Sequence, residues 1–111
     1  MTTIFKKIID KEIPAKIVYE DSEALAFHDV HPQAPTHILI VPKREIAKLA
    51  DLSAGDKGLM GHLFWVAIEI ARKQNLQDYR LVINNGPGAG QTVFHLHLHL
   101  LAGRAMNWPP G

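Results

Sequence analysis

Read from its residues, the chain predicts one α+β domain: a five-stranded antiparallel sheet with one long helix and a short N-terminal helix, both helices on one side. Three observations lead there. Apolar spacing switches between helical and strand periods in the order helix, hairpin, strand, helix, two strands. Short loops join most of the strands, so antiparallel pairing follows. The 111 residues allow one modest core, hence a single domain over 1–111.

Each element has its own signal. Ile4, Phe5, Ile8 and Ile9 recur at helical spacing until Pro14 stops them. Lys16–Glu20 and Ala24–His28 are β-like runs about a turn at Asp21, Ser22 and Glu23. His28 to Pro35 is loop, because Pro32 and Pro35 fit neither a helix nor a central strand. Thr36–Val41, closed by Pro42, is apolar enough for a buried strand. Ser53, with Asp56 three residues on, starts the long helix, whose stripe of Leu59, Leu63, Val66 and Ile70 is widened by Met60, Ala67 and Ala71. Trp65 falls on its polar side, either partly exposed or covered by a partner subunit. Strands at Tyr79–Asn84 and Thr92–Leu101 flank a glycine-rich loop at Asn85–Gly90.

Composition excludes several classes. Twelve Lys and Arg against eleven Asp and Glu leave a formal charge of +1, too little for a long nucleic acid or a membrane surface. Cysteine is absent, which removes thiolate nucleophiles, disulfides and Cys-based metal sites. The longest apolar run, Leu63–Ile68, is far below the roughly 20 residues of a membrane span. The N-terminal stretch lacks a signal-peptide core, so a cytoplasmic location is expected. Seven histidines stand out against this background.

Three of them alternate with leucine. On a strand, Phe94, Leu96, Leu98 and Leu100 would enter the core, and His95, His97 and His99 would stand in a row on the other face. Rings with an ordinary pKa near 6.5 can hold mixed protonation states, one neutral as nucleophile and a charged neighbour as proton donor. A solvated polar face explains one histidine easily and three poorly. A zinc site is the sharper competitor, but no Asp or Glu follows Asp78, leaving His37 or distant sequence to complete it. No metal and no cofactor are therefore expected.

The segment from Asn84 to Thr92 runs straight into these histidines. It matches neither a dinucleotide fingerprint nor a P-loop, yet its backbone could turn N–H groups toward an anion. The alternative is a tight connection. From Tyr79 to Gly111 there are two arginines, three histidines and no carboxylate, so backbone amides, Gln91, Thr92 and imidazolium would carry the charge of a small phosphate ester or phosphoramidate.

The run from His95 to Leu101 fits His-φ-His-φ-His-φ-φ, with φ apolar, and three further segments extend the match: TIFKKIIDKEIP (3–14), AFHDVHPQAPTH (26–37) and NWPPG (107–111). On these residues the chain resembles the histidine triad nucleotide-binding (HINT) branch of the histidine triad (HIT) superfamily. The resemblance implies a HIT-like fold, a homodimer, and hydrolysis of the P–N bond of purine nucleoside 5′-phosphoramidates to nucleoside monophosphate and amine. It implies His97 as the nucleophile of a nucleotidyl-histidine intermediate, His99 at the phosphate and helping to protonate the amine, and His95 and His37 as orienting and relaying groups. Asp29 would hold the ribose; Asn84, Gly90, Gln91 and Thr92 would line the phosphate; Phe5, Ile8, Phe27, His28 and Val30 would surround the base. Trp108 would reach the leaving-group side from the neighbouring subunit.

By themselves, Phe5, Ile8 and Phe27 also read as core, Asp29 as a turn former, and His28, His31 and His62 as surface or packing residues. Thr92 where the family often has Ser, Ala102 where Gly is common, and Pro87 in the loop are departures that bear on the leaving group. His99 itself favours hydrolysis, since transferases of the superfamily carry glutamine there. The alternative function is a purine-nucleotide-binding dimeric scaffold with vestigial hydrolysis.

Overall fold

A computed structural model describes residues 2–111. Five strands form one antiparallel sheet in the order β1-β2-β3-β5-β4: β1 (Ile17–Glu20), β2 (Ala24–His28), β3 (Thr36–Pro42), β4 (Tyr79–Val82) and β5 (Leu98–Ala102). Helices α1 (Ile4–Ile9) and α2 (Lys57–Lys73) complete it. No helix among the described residues is long and apolar enough to cross a membrane.

Local chemistry explains the boundaries. The Thr3 hydroxyl accepts from the Lys6 N–H at 3.1 Å and caps α1. Asp21 Oδ1 accepts from the N–H groups of Glu23 and Ala24, both at 2.8 Å, and so makes the β1–β2 turn. Asp56 Oδ2 accepts from the Ser53 N–H at 2.8 Å, and a short 3₁₀ turn (Ala54–Asp56) leads into α2. His62 does more than fill surface: its Nε2 meets Asp21 Oδ2 at 2.6 Å and ties α2 to the hairpin turn.

The helices do not share a side. Ala24, Ala26, Ile38, Ile40, Leu96, Leu98 and Leu100 pack against Leu63, Val66, Ala67 and Ile70 of α2. The alternate residues Leu25, Phe27, Leu39 and Val41 pack against Phe5 and Ile8 of α1, on the opposite face. The reason lies in β2 and β3, which are apolar on both faces and need cover on both.

The last strand is shorter than its alternation suggests. β5 begins at Leu98, and the chain from Thr92 to His97 runs irregularly out of the glycine loop. There the Leu96 N–H donates to the Ile46 carbonyl at 2.7 Å, outside the sheet ladder. Leu96 still reaches the core, but Phe94 is 43% exposed and does not. His95 and His97 are buried, at 2% and 7% exposure, and form no open polar row.

Candidate active site

Strand register brings two distant histidines together. β3 and β5 pair Leu39 with His99 and His37 with Leu101, so His37 and His99 are diagonal neighbours on the α1 face. Their rings lie 5.2 Å apart, and the His97 ring is 4.9 Å from that of His99. Asp29 leaves β2 with its N–H on the His37 carbonyl at 2.9 Å, which carries its carboxylate to 3.5 Å from His37 Nε2.

Hydrogen bonds decide where each ring holds its proton. The Gln33 N–H donates to His37 Nδ1 at 3.0 Å, so neutral His37 carries hydrogen on Nε2. That Nε2–H donates to His99 Nδ1 at 2.9 Å, which leaves the hydrogen of neutral His99 on Nε2. His97 Nδ1–H donates to the His95 carbonyl at 2.7 Å, so the lone pair of His97 is on Nε2. His95 Nε2–H is spent on the Pro42 carbonyl at 2.7 Å. Edge-on contact with Phe5, 5.0 Å between centroids, further holds the His97 ring.

Burial holds all four rings below the ordinary histidine value. For His99, burial together with repulsion from His97 and His37 pushes it down to about 4. The mixed protonation expected from the sequence is therefore corrected: in the free protein these imidazoles are neutral at pH 7.

A cleft of about 490 Å³ opens over His37, His97 and His99. Of the residues expected around a ligand, Phe5, Ile8, Phe27, His28, Asp29, Val30 and Thr92 line it. Ile4, Ile13, Pro14, Ala15, Leu39 and Val93 extend its apolar wall, and none of these was expected at the ligand from the sequence. Leu39 and Val93 read there only as strand interior. Gln33 was also missed, because it acts on His37 through its backbone, where residue type carries no signal.

Other expected residues lie elsewhere. His95 sits beneath the cleft against Phe5, 6.4 Å between ring centroids. Gln91 is a brace and not a liner: its Oε1 accepts from the Gly86 N–H at 2.8 Å, and its Nε2 donates to the carbonyls of Ala47 at 2.8 Å and Val93 at 3.1 Å. The N–H groups of Gly90 and Gln91 turn inward to Pro87 and Gly86, both at 3.1 Å, so this part of the loop offers no open cradle. Gly90 takes φ +96°, a conformation that suits glycine, and Asn84 packs beside it, outside the cleft lining. Trp108 is 82% exposed and also lies outside the lining.

Asp29, His37 and His99 each place one potential metal-ligand atom within 4.8 Å of the others. His37 Nε2 and His99 Nδ1 already share a proton, with which a cation held by both would compete.

Comparison with known proteins identifies the fold and the family. Residues 10–106 match the model of the HIT domain. A 14 kDa zinc-binding protein of Zea mays is 54% identical over 98% of this chain and 88% of its own length. The crystal structure of a HIT family hydrolase from Legionella pneumophila superposes with a TM-score of 0.96 at 48% identity, covering 99% of this chain and all of that one. A histidine triad nucleotide-binding protein from Candida albicans superposes at 0.83 with 30% identity, over 97% of this chain and 83% of its own. Matched to the family in sequence and to its solved structures in fold, this chain belongs to the HIT domain family.

Proposed function

We propose that this protein hydrolyses the P–N bond of purine nucleoside 5′-phosphoramidates, releasing nucleoside monophosphate and amine, with His97 as nucleophile. One observation carries the reading: the 2.7 Å bond from His97 Nδ1–H to the His95 carbonyl leaves the Nε2 pair free on a neutral ring that lines the cleft. Attack of Nε2 on the α-phosphorus forms the P–Nε2 bond as the amine departs, and water then hydrolyses the nucleotidyl-histidine.

The lining supports the remaining roles. The only nitrogen of His99 not bonded to His37 is Nε2, and its N–H meets a phosphoryl oxygen. Thr92 adds a hydroxyl beside it. Asp29 accepts from the ribose hydroxyls, and Phe5, Ile8, Phe27 and Val30 enclose the base with His28 at the rim. The active unit is a cytoplasmic homodimer in which Trp108 reaches the partner's leaving-group side. A zinc reading, after the name of the maize relative, would have to break the His37–His99 hydrogen bond. Elemental analysis of untagged protein tests it: stoichiometric zinc, with activity lost to chelators, favours that reading.

His97→Ala should abolish turnover of an adenosine 5′-phosphoramidate while AMP still binds. Rapid quench of the wild type should trap adenylylated His97. Bound nucleotide with no such intermediate would identify a nucleotide-binding scaffold instead.

A further inference from the structure

His37 can serve His99 only while its ring keeps one orientation. Its Nε2 faces two acceptors, His99 Nδ1 at 2.9 Å and Asp29 Oδ2 at 3.5 Å, while its Nδ1 accepts from the Gln33 N–H at 3.0 Å. A half-turn of the ring about its bond to Cβ would put C–H edges at all three contacts. On the phosphoramidase reading, Asp29 also serves the ribose and His99 the phosphoryl group. Only the Gln33 N–H serves the ring alone.

The sheet ladder does not hold Gln33. The register of β3 and β5 ends with Thr36 opposite Ala102, and Pro35, which has no N–H, cannot extend it. Two residues just beyond β5 take over. Gly103, at φ +97°, lies so close to the Pro35 ring that a Cβ there would come within 2.8 Å of Pro35 Cβ. Arg104 reaches across to the other end of the segment: its Nε donates to the Gln33 carbonyl at 2.8 Å. Its Nη1 donates to the Ala105 carbonyl at 3.0 Å, which steadies the guanidinium. A hydrogen bond from a charged donor is the stronger kind. β5 therefore acts on the histidine pair twice, through His99 within the strand and through Arg104 just past its end.

We propose that Arg104 is a positioning residue for His37 and His99. By holding the Gln33 peptide it keeps the Gln33 N–H on His37 Nδ1, and so keeps His37 Nε2 aimed at His99. Arg104 lies outside the cleft lining and acts only through Gln33. The kinetic consequence rests on the phosphoramidase reading; the effect on the ring does not.

The test is Arg104→Met, which keeps an unbranched stem and removes the donors. In 15N-labelled wild type at pH 7, the Gln33 backbone nitrogen and His37 Nδ1 should show a scalar coupling across their hydrogen bond. The variant should lose that coupling. The ring nitrogens of His95, held by the Pro42 carbonyl, should keep their wild-type shifts. With an adenosine 5′-phosphoramidate, kcat should fall by about tenfold and KM should stay within about threefold, because a misaimed group costs rate more than ground-state binding. A coupling of wild-type size in the variant overturns the proposal, and so does an unchanged kcat with the coupling lost. A wild type that turns over no phosphoramidate sinks the phosphoramidase reading instead, and the coupling then decides by itself whether Arg104 holds the ring.

Discussion

The two faces of the sheet are built from alternate residues of the same strands, yet one is a sealed core and the other holds the cleft. On the first, Ala26, Ile38, Ile40 and Leu100 are covered by the seventeen-residue α2. On the second, Leu25, Phe27, Leu39 and Val41 meet a helix of only six residues. A short helix covers part of a face, and what stays uncovered here is lined by the histidines. The difference shows that a site needs no separate layer: it arises where cover runs out on a strand surface rigid enough to hold side chains in place.

Substitutions on the two faces should separate function from stability. The largest effect belongs to the cleft: His97→Ala should lower kcat/KM by on the order of 10⁴-fold or more while thermal unfolding changes little. Leu63→Ala, in the sealed core, should do the reverse, costing about 2–5 kcal/mol in denaturant unfolding with kcat per folded molecule unchanged. A Leu63 variant that lost activity at full stability would break the division between the faces.

Gln91 stands between these extremes. Gln91→Leu strips side-chain partners from the Gly86 N–H and from the carbonyls of Ala47 and Val93, a loss of about 1–3 kcal/mol. Because Thr92 and Val93 line the cleft, KM for the phosphoramidate should rise as well. A variant as stable as the wild type would show that the amide serves the ligand and not the loop.

Acid should bring a graded change on the histidine face. The unfolded chain protonates these imidazoles near 6.5, whereas the fold holds them lower, His99 at about 4. Their contribution is complete above pH 6.5 and is lost as pH falls toward 4, because the unfolded chain then binds protons that the fold refuses. Melting temperatures between pH 7 and 4.5 test this, and a flat profile over that range would contradict it.

Much of the fold was legible from local chemistry. Asp21 makes its turn, Ser53 and Asp56 start the long helix, and β2 and β3 lie within a residue of their apolar runs. The helix placement was misread, because the runs of β2 and β3 say that both faces are apolar and not which helix covers which. The last strand was misread because leucine–histidine alternation is the same in a ladder and in an irregular segment; only the Leu96 bond to Ile46 tells them apart. For the site, the histidine motif and the segment from Phe27 to His37 pointed to the cleft, while Gln91 looked like a ligand residue and is a brace.

By itself the sequence determined the order of elements, the alternation that buries Leu96, Leu98 and Leu100, and the absence of any thiol that could compete with imidazole as nucleophile. Those properties rest on neighbours along the chain. Only the tertiary structure decided which nitrogen of His95 and of His99 carries its proton. His95 is set by the Pro42 carbonyl, 53 residues away, and His99 by His37, 62 residues away. A tautomer is chosen by the donor or acceptor that the fold brings within about 3 Å, and no spacing in the sequence records that approach.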